Sequence, residues 1–128
     1  MSKHKVVHFE IPTSDMKKAR AFYEKVFDWK LEAMGDGGYC MAETTPSDAD
    51  GMPTEAGGIN GGFYKRESKQ DHPTFVVLTD DLDKTIADIE KAGGTITTPK
   101  HPIGEWGFMA DFTDPEGNDM GLWQQPKK

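Results

Sequence analysis

One cysteine, Cys40, stands in the 128 residues. A single thiol cannot make an intramolecular disulfide or a cysteine-based zinc cluster, and a buried, inert sulfur is the expected state. No apolar run approaches the roughly 20 residues that span a bilayer. The stretch after Met1-Ser2-Lys3-His4-Lys5 is too short for the apolar part of a signal peptide. Positive charge is in deficit as well. Fifteen Lys and Arg face 22 Asp and Glu, for a net charge of −7. That balance disfavours nonspecific contact with nucleic acid or an anionic membrane. The expectation left is a cytoplasmic, globular chain with neither partner. What is present agrees: 10% aromatic and 35% hydrophobic residues in a length that buries one core.

The chain is written twice. Val6 to Ile11 alternates, with Val7, Phe9 and Ile11 on one side and Val6, His8 and Glu10 on the other. Pro12 ends this strand, and Ser14 or Asp15 caps a helix with Met16, Ala19, Tyr23, Val26 and Phe27 on its apolar face. Strand-forming residues return at Trp29 to Ala33. Thr74 to Leu78 repeats the first strand. Asp80 or Asp81 caps a second helix, with Leu82, Ile86 and Ile89 on one face. Ala92-Gly93-Gly94 stops it, and Thr95 to Thr98 is again a strand. An offset of 66 residues superposes Met16 on Leu82 and His8 on Thr74.

Each half closes with two further strands. The first has Gly38 to Glu43, a polar loop from Thr44 to Gly57, and Gly58 to Tyr64. The second has Gly107 to Phe112, a tight turn at Asp114-Pro115-Glu116-Gly117, and Asn118 to Trp123. The whole chain is thus one domain of two β-α-β-β-β modules, about 5–64 and 73–125, joined by a charged linker at 65–72. Two such sheets with helices outside leave a concave inner face. His8 and Glu10 would enter it, and a carboxylate there is costly unless the space is wet or occupied.

These residues support a family. Val-His-Phe-Glu-Ile-Pro, a helix, and Phe-Tyr-Glu-Lys-Val-Phe-Asp-Trp resemble the vicinal oxygen chelate superfamily, which includes glyoxalase I, extradiol dioxygenases and bleomycin-resistance proteins. Asp-Asp-Leu-Asp-Lys-Thr followed by Ala-Gly-Gly is similar to its second module, and Phe-Thr-Asp-Pro-Glu-Gly-Asn to its last hairpin. The resemblance covers about residues 5–125. It implies an α+β fold in which two βαβββ modules form a cupped eight-stranded mixed sheet with helices outside. It also implies a homodimer, with the modules pairing within or between chains.

Family enzymes hold a divalent metal on His, Gln and Glu side chains of the first and last strands. Carried over to this chain, His8 matches the first position. Thr74 stands where a second His or Gln belongs, Gly121 where the Glu after the Asp-Pro-x-Gly turn belongs, and Gly61 at its partner position. One imidazole, a hydroxyl and two glycines cannot fix a transition metal. The expectation is therefore no cofactor, with His8 the only metal position kept.

The leading reading is a metal-independent, small-molecule binding protein of this superfamily. Its ligand is flat or partly aromatic. Phe63 and Trp123, in phase with Gly61 and Gly121, would wall the cup together with Tyr39, Met41 and Trp106; His8, Glu10, Thr74 and Asp111 would give polar contacts. Each residue also has a plainer reading: His8 as a relic bonded within the sheet, Glu10 as a solvated rim residue, the aromatics as ordinary core. The Thr44–Gly57 loop reads equally as a lid or as disorder. The alternative function is a lactoylglutathione lyase-like or dioxygenase-like enzyme with an unusual metal set around His8, Glu10 and Asp111. A third is a scaffold that only dimerises.

Overall fold

The computed structural model describes residues 3–35 and 37–126. β1 (Val6–Thr13), α1 (Met16–Phe27), β2 (Lys30–Met34), β3 (Tyr39–Glu43) and β4 (Asn60–Lys65) make the first βαβββ module. β5 (Thr74–Leu78), α2 (Leu82–Lys91), β6 (Thr95–Pro102), β7 (Phe108–Thr113) and β8 (Asp119–Gln124) make the second, with one 3-10 turn at Gly104–Trp106. The class is α+β, with eight strands among the described residues in mixed parallel and antiparallel pairing.

The chain divides into two compact units: His8–Pro73, and the residues from Thr74 onward together with those before His8. Strand order is β2-β3-β4-β1 in the former and β5-β8-β7-β6 in the latter. In each, the last strand runs parallel to the first.

The helix ends follow from single side chains. Asp15 accepts from the Lys18 amide and Asp81 from the Lys84 amide, each satisfying a donor that the first turn leaves open. Asp28 takes a left-handed conformation, φ 58°, to end α1.

In the first module α1 covers Leu31, Cys40, Ala42 and Phe63, with Phe9, Ile11, Met16, Ala19, Tyr23 and Trp29 packed around them. Tyr23 stacks on Trp29 at 4.9 Å and lies 5.0 Å from the Phe63 ring. Val26 and Phe27, expected on the buried face of α1, are about half exposed. The helix meets the strands along Met16, Ala19 and Tyr23, and this stripe is narrower than the apolar one in the sequence. In the second module Leu82, Ala110 and Leu122 form the centre, with Val77, Ile86, Ile89, Phe108 and Phe112 against it.

The segment from Thr44 to Gly57 is a compact hydrogen-bonded loop. Asp48 accepts from the Asp50 and Met52 amides, and Thr54 donates its amide to the Pro46 carbonyl. Buried Asn60 ties it down: its Oδ1 accepts from the Thr44 amide at 2.8 Å, and its Nδ2 donates to Ser47 Oγ at 2.6 Å.

Candidate functional site

Strand pairing decides which side chains share a face. In the parallel ladder His8 stands beside Asn60, Phe9 beside Gly61, Glu10 beside Gly62 and Ile11 beside Phe63. Across β3 and β4, Tyr39 pairs with Tyr64, Cys40 with Phe63 and Met41 with Gly62. Since Phe9, Cys40 and Phe63 lie under α1, the opposite face carries His8, Glu10, Tyr39, Met41, Gly62 and Tyr64.

This corrects two assignments. Gly61 and Phe63 do not share a face with His8. Phe63 is fully buried in the core, and a Cβ added to Gly61 would strike the Phe9 ring. The reason is a one-residue register: alternation has period two, so a shift of one moves a side chain to the other side. The equivalent of Gly121 is Gly62. Met16 and Leu82 start the helices 66 residues apart, so Val76 corresponds to Glu10; Val76 pairs with Gly121, and Glu10 with Gly62. By the same register Phe63 matches Leu122, and Tyr64 matches Trp123. Tyr64 is the aromatic residue that sequence reasoning missed; its signal was the ring two places after a glycine in both modules.

Three side chains converge over this face. His8 Nε2 lies 3.1 Å from Tyr39 Oη, and Tyr39 Oη lies 3.5 Å from Glu10 Oε2. An ionised carboxylate only accepts, so the phenol proton points to Glu10, and Oη then accepts from His8 Nε2–H. The Tyr39 ring reaches β1 by passing over β4, where Gly62 stands; a Cβ on Gly62 would collide with the phenol oxygen and carbon. Glycine is required there by close approach, since its backbone is not in the left-handed region.

Burial sets the electrostatics. Removing His8 from water penalises its cation and pushes its pKa from 6.5 down to about 4, so the ring is neutral at physiological pH. Burial also raises the Tyr39 hydroxyl well above its ordinary value, and the charge and hydrogen bond of Glu10 add to the effect. The phenol therefore stays protonated.

In the second module the face away from α2 carries Gly121 and Trp123, paired across β7 with Asp111 and Met109. Alternation places Thr74 on this face with Val76. Asp111 Oδ1 and Val76 Cγ2 are the side-chain atoms nearest the Cβ position of Gly121. Trp123 Nε1 donates to the Trp106 carbonyl at 2.7 Å, which fixes the Gly104–Trp106 turn. Trp106 itself is 40% exposed.

This donor set does not fit the divalent cation that the resemblance implies. Both last-strand positions are glycine, Thr74 replaces an imidazole or amide, and His8 Nε2 is engaged by a phenol. Among the described residues, no three His, Cys, Asp or Glu side chains form a group that could hold a metal.

A βαβββ pair with His8 at the first-strand position defines a glyoxalase-type domain. Residues 5–122 match the Glyoxalase/Bleomycin resistance protein/Dioxygenase superfamily, and the chain belongs to that family. The glyoxylase-named protein CFP32 of Mycobacterium bovis is 29% identical over 119 residues, 90% of this chain and 43% of that protein. The chain thus spans less than half the length of that relative. A "Glyoxylase-like domain-containing protein" of Didymella fabae is 29% identical over 123 residues, covering 93% of this chain and 92% of its own. Among solved structures, a Streptomyces coelicolor methylmalonyl-CoA epimerase in complex with 2-nitronate-propionyl-CoA superposes with TM-score 0.68 at 19% identity, covering 98% of this chain and 100% of that one. The hypothetical protein BH1468 of Bacillus halodurans gives 0.68 at 13%, with 99% and 98% covered. At these identities the structural likeness concerns the fold alone.

Proposed function

We propose that this chain is a metal-independent small-molecule binding protein of the glyoxalase/bleomycin-resistance type. The observation that carries the reading is the His8–Tyr39–Glu10 chain on the strand face opposite α1. It gathers polar groups beside the rings of Tyr39 and Tyr64 and the thioether of Met41, where a hydrophobic core has no use for them. The ligand is flat or partly aromatic, because the rings of Tyr39 and Tyr64 share this face with hydrogen-bonding groups. The second module, taken by itself, carries a set of the same kind on the face away from α2: Thr74, Asp111 and Trp123, with exposed Trp106 tied to Trp123 through its carbonyl. Gly121 leaves room beside them. Gly61 and Phe63 are left out, since they serve the core. The epimerase neighbour's acyl-CoA ligand supports a fold suited to organic molecules.

A thermal-shift and calorimetric screen against aromatic metabolites and antibiotics tests the proposal. A saturable hit at one per chain, weakened at least tenfold in Tyr39→Ala and His8→Ala, is expected. Hits that ignore both substitutions overturn the assignment, as does the absence of any hit across a broad library. We also propose a homodimer, which sizing by light scattering checks.

A further inference from the structure

We infer that Tyr39 stands in for a third metal-ligating side chain, and that this exchange closes the first module to divalent cations. His8 and Glu10 are two residues apart on one face of β1, so a cation between them needs its next donor from the neighbouring strand. Gly62 is that position: it pairs with Glu10 in the parallel ladder and faces the same way. It carries no donor atom, and the place where its side chain would start is filled by the Tyr39 phenol. The phenol reaches both of the remaining groups, at 3.1 Å from His8 Nε2 and 3.5 Å from Glu10 Oε2.

The two features depend on each other. Any side chain on Gly62 expels the Tyr39 ring, and without the ring His8 loses its phenol partner. A neutral hydroxyl can bridge an imidazole and a carboxylate, but it is a poor ligand until it loses its proton. The face is thus committed to hydrogen bonding with organic groups. This inference rests on the metal-independent reading above, but not on any particular ligand. The library screen can fail while the cation test succeeds, and the reverse holds too.

The test measures cation binding to the full chain with Zn2+ and Co2+ as probes, by calorimetry and by Co2+ visible absorption. The wild type is expected to show no His8-dependent binding. Tyr39→Ala/Gly62→Glu, which removes the phenol and supplies the missing carboxylate, is expected to take up one Co2+ per chain. Its affinity should exceed that of the wild type at least tenfold, and the gain should vanish when His8→Ala is added. Stoichiometric, His8-dependent binding by the wild type overturns the inference. So does a cooperatively folded double variant that binds no better than wild type. Should the double variant not fold, the shorter Tyr39→Ala/Gly62→Asp decides through the 15N signal of His8 Nε2. Zn2+ should shift that signal in Tyr39→Ala/Gly62→Asp and leave it unmoved in wild type; equal behaviour in both refutes the exchange.

Discussion

Gly62 lies directly beneath the phenol of Tyr39, so the smallest residue on β4 and the longest reach from β3 occupy one space. Adding one methyl tests this fit. Gly62→Ala should destabilise the fold by about 1–3 kcal/mol, the usual cost of overfilling a tight contact. It should also break the His8–Tyr39 hydrogen bond, seen as a changed His8 ring signal by NMR. A neutral substitution, in both urea denaturation and NMR, contradicts the packing described.

Acid should weaken the fold through His8. Its folded pKa, about 4, lies below the 6.5 of the free side chain, so the unfolded chain binds the extra proton first. Stability from this residue is complete above about pH 6.5, falls as the pH drops, and is lost below about pH 4. The full span is on the order of 3 kcal/mol. Carboxylates titrate in the same range, so the relevant quantity is the difference between wild type and His8→Gln in denaturation series across pH 7.5 to 4. Parallel curves for the two proteins would contradict a buried neutral imidazole.

Tyr39→Phe keeps the ring and deletes the hydroxyl. The expected cost is about 1 kcal/mol, the net worth of a typical hydrogen bond. Because the Tyr39 hydroxyl is held protonated, ultraviolet titrations of wild type and Tyr39→Phe should superimpose for as long as the chain stays folded. An extra tyrosinate in the wild type before unfolding would count against the enclosure of this phenol by burial and Glu10.

Asn60 and Phe63 should fail in different ways. Phe63→Ala empties the centre of the first core and should cost about 3–5 kcal/mol. Asn60→Ala removes the anchor of the 44–57 loop, with a smaller loss of about 1–3 kcal/mol from unpaired polar groups. Only the Asn60 variant should gain protease cleavage within 44–57 while the rest of the chain stays folded. Limited proteolysis with mass spectrometry separates the two outcomes.

Trp123→Phe should loosen the turn at Gly104–Trp106, because the indole N–H that holds the Trp106 carbonyl is gone. Amide exchange around Trp106 should quicken, with a stability loss of about 1 kcal/mol.

Much of the fold was legible in the chain itself. Period-two alternation from Val6 to Ile11, aspartates at the helix starts, the Gly93 stop and the 66-residue repeat depend on neighbours close in sequence. They specify two βαβββ modules and an His8–Glu10 face opposite the helix. The same local rules found Leu82, Ile86 and Ile89 as the buried side of α2. They overstated α1, since an apolar stripe does not say how much of it a partner covers.

What local pattern could not decide was register. Gly61-Gly62-Phe63-Tyr64 reads equally well in either phase, because two adjacent glycines carry no side chain to mark a face. Only the hydrogen bonds to β1 and β3 choose, and they put Phe63 in the core and leave Gly62 and Tyr64 beside His8. The sequence placed His8, Glu10 and Tyr39 in one cup, but not the hydrogen bonds that join them, since Tyr39 lies 31 residues from His8 and 29 from Glu10 in the chain. Sequence determined which residues are apolar, which cap and which alternate. Tertiary structure decided which of them touch, because strand pairing brings distant segments together and a shift of one residue exchanges their faces.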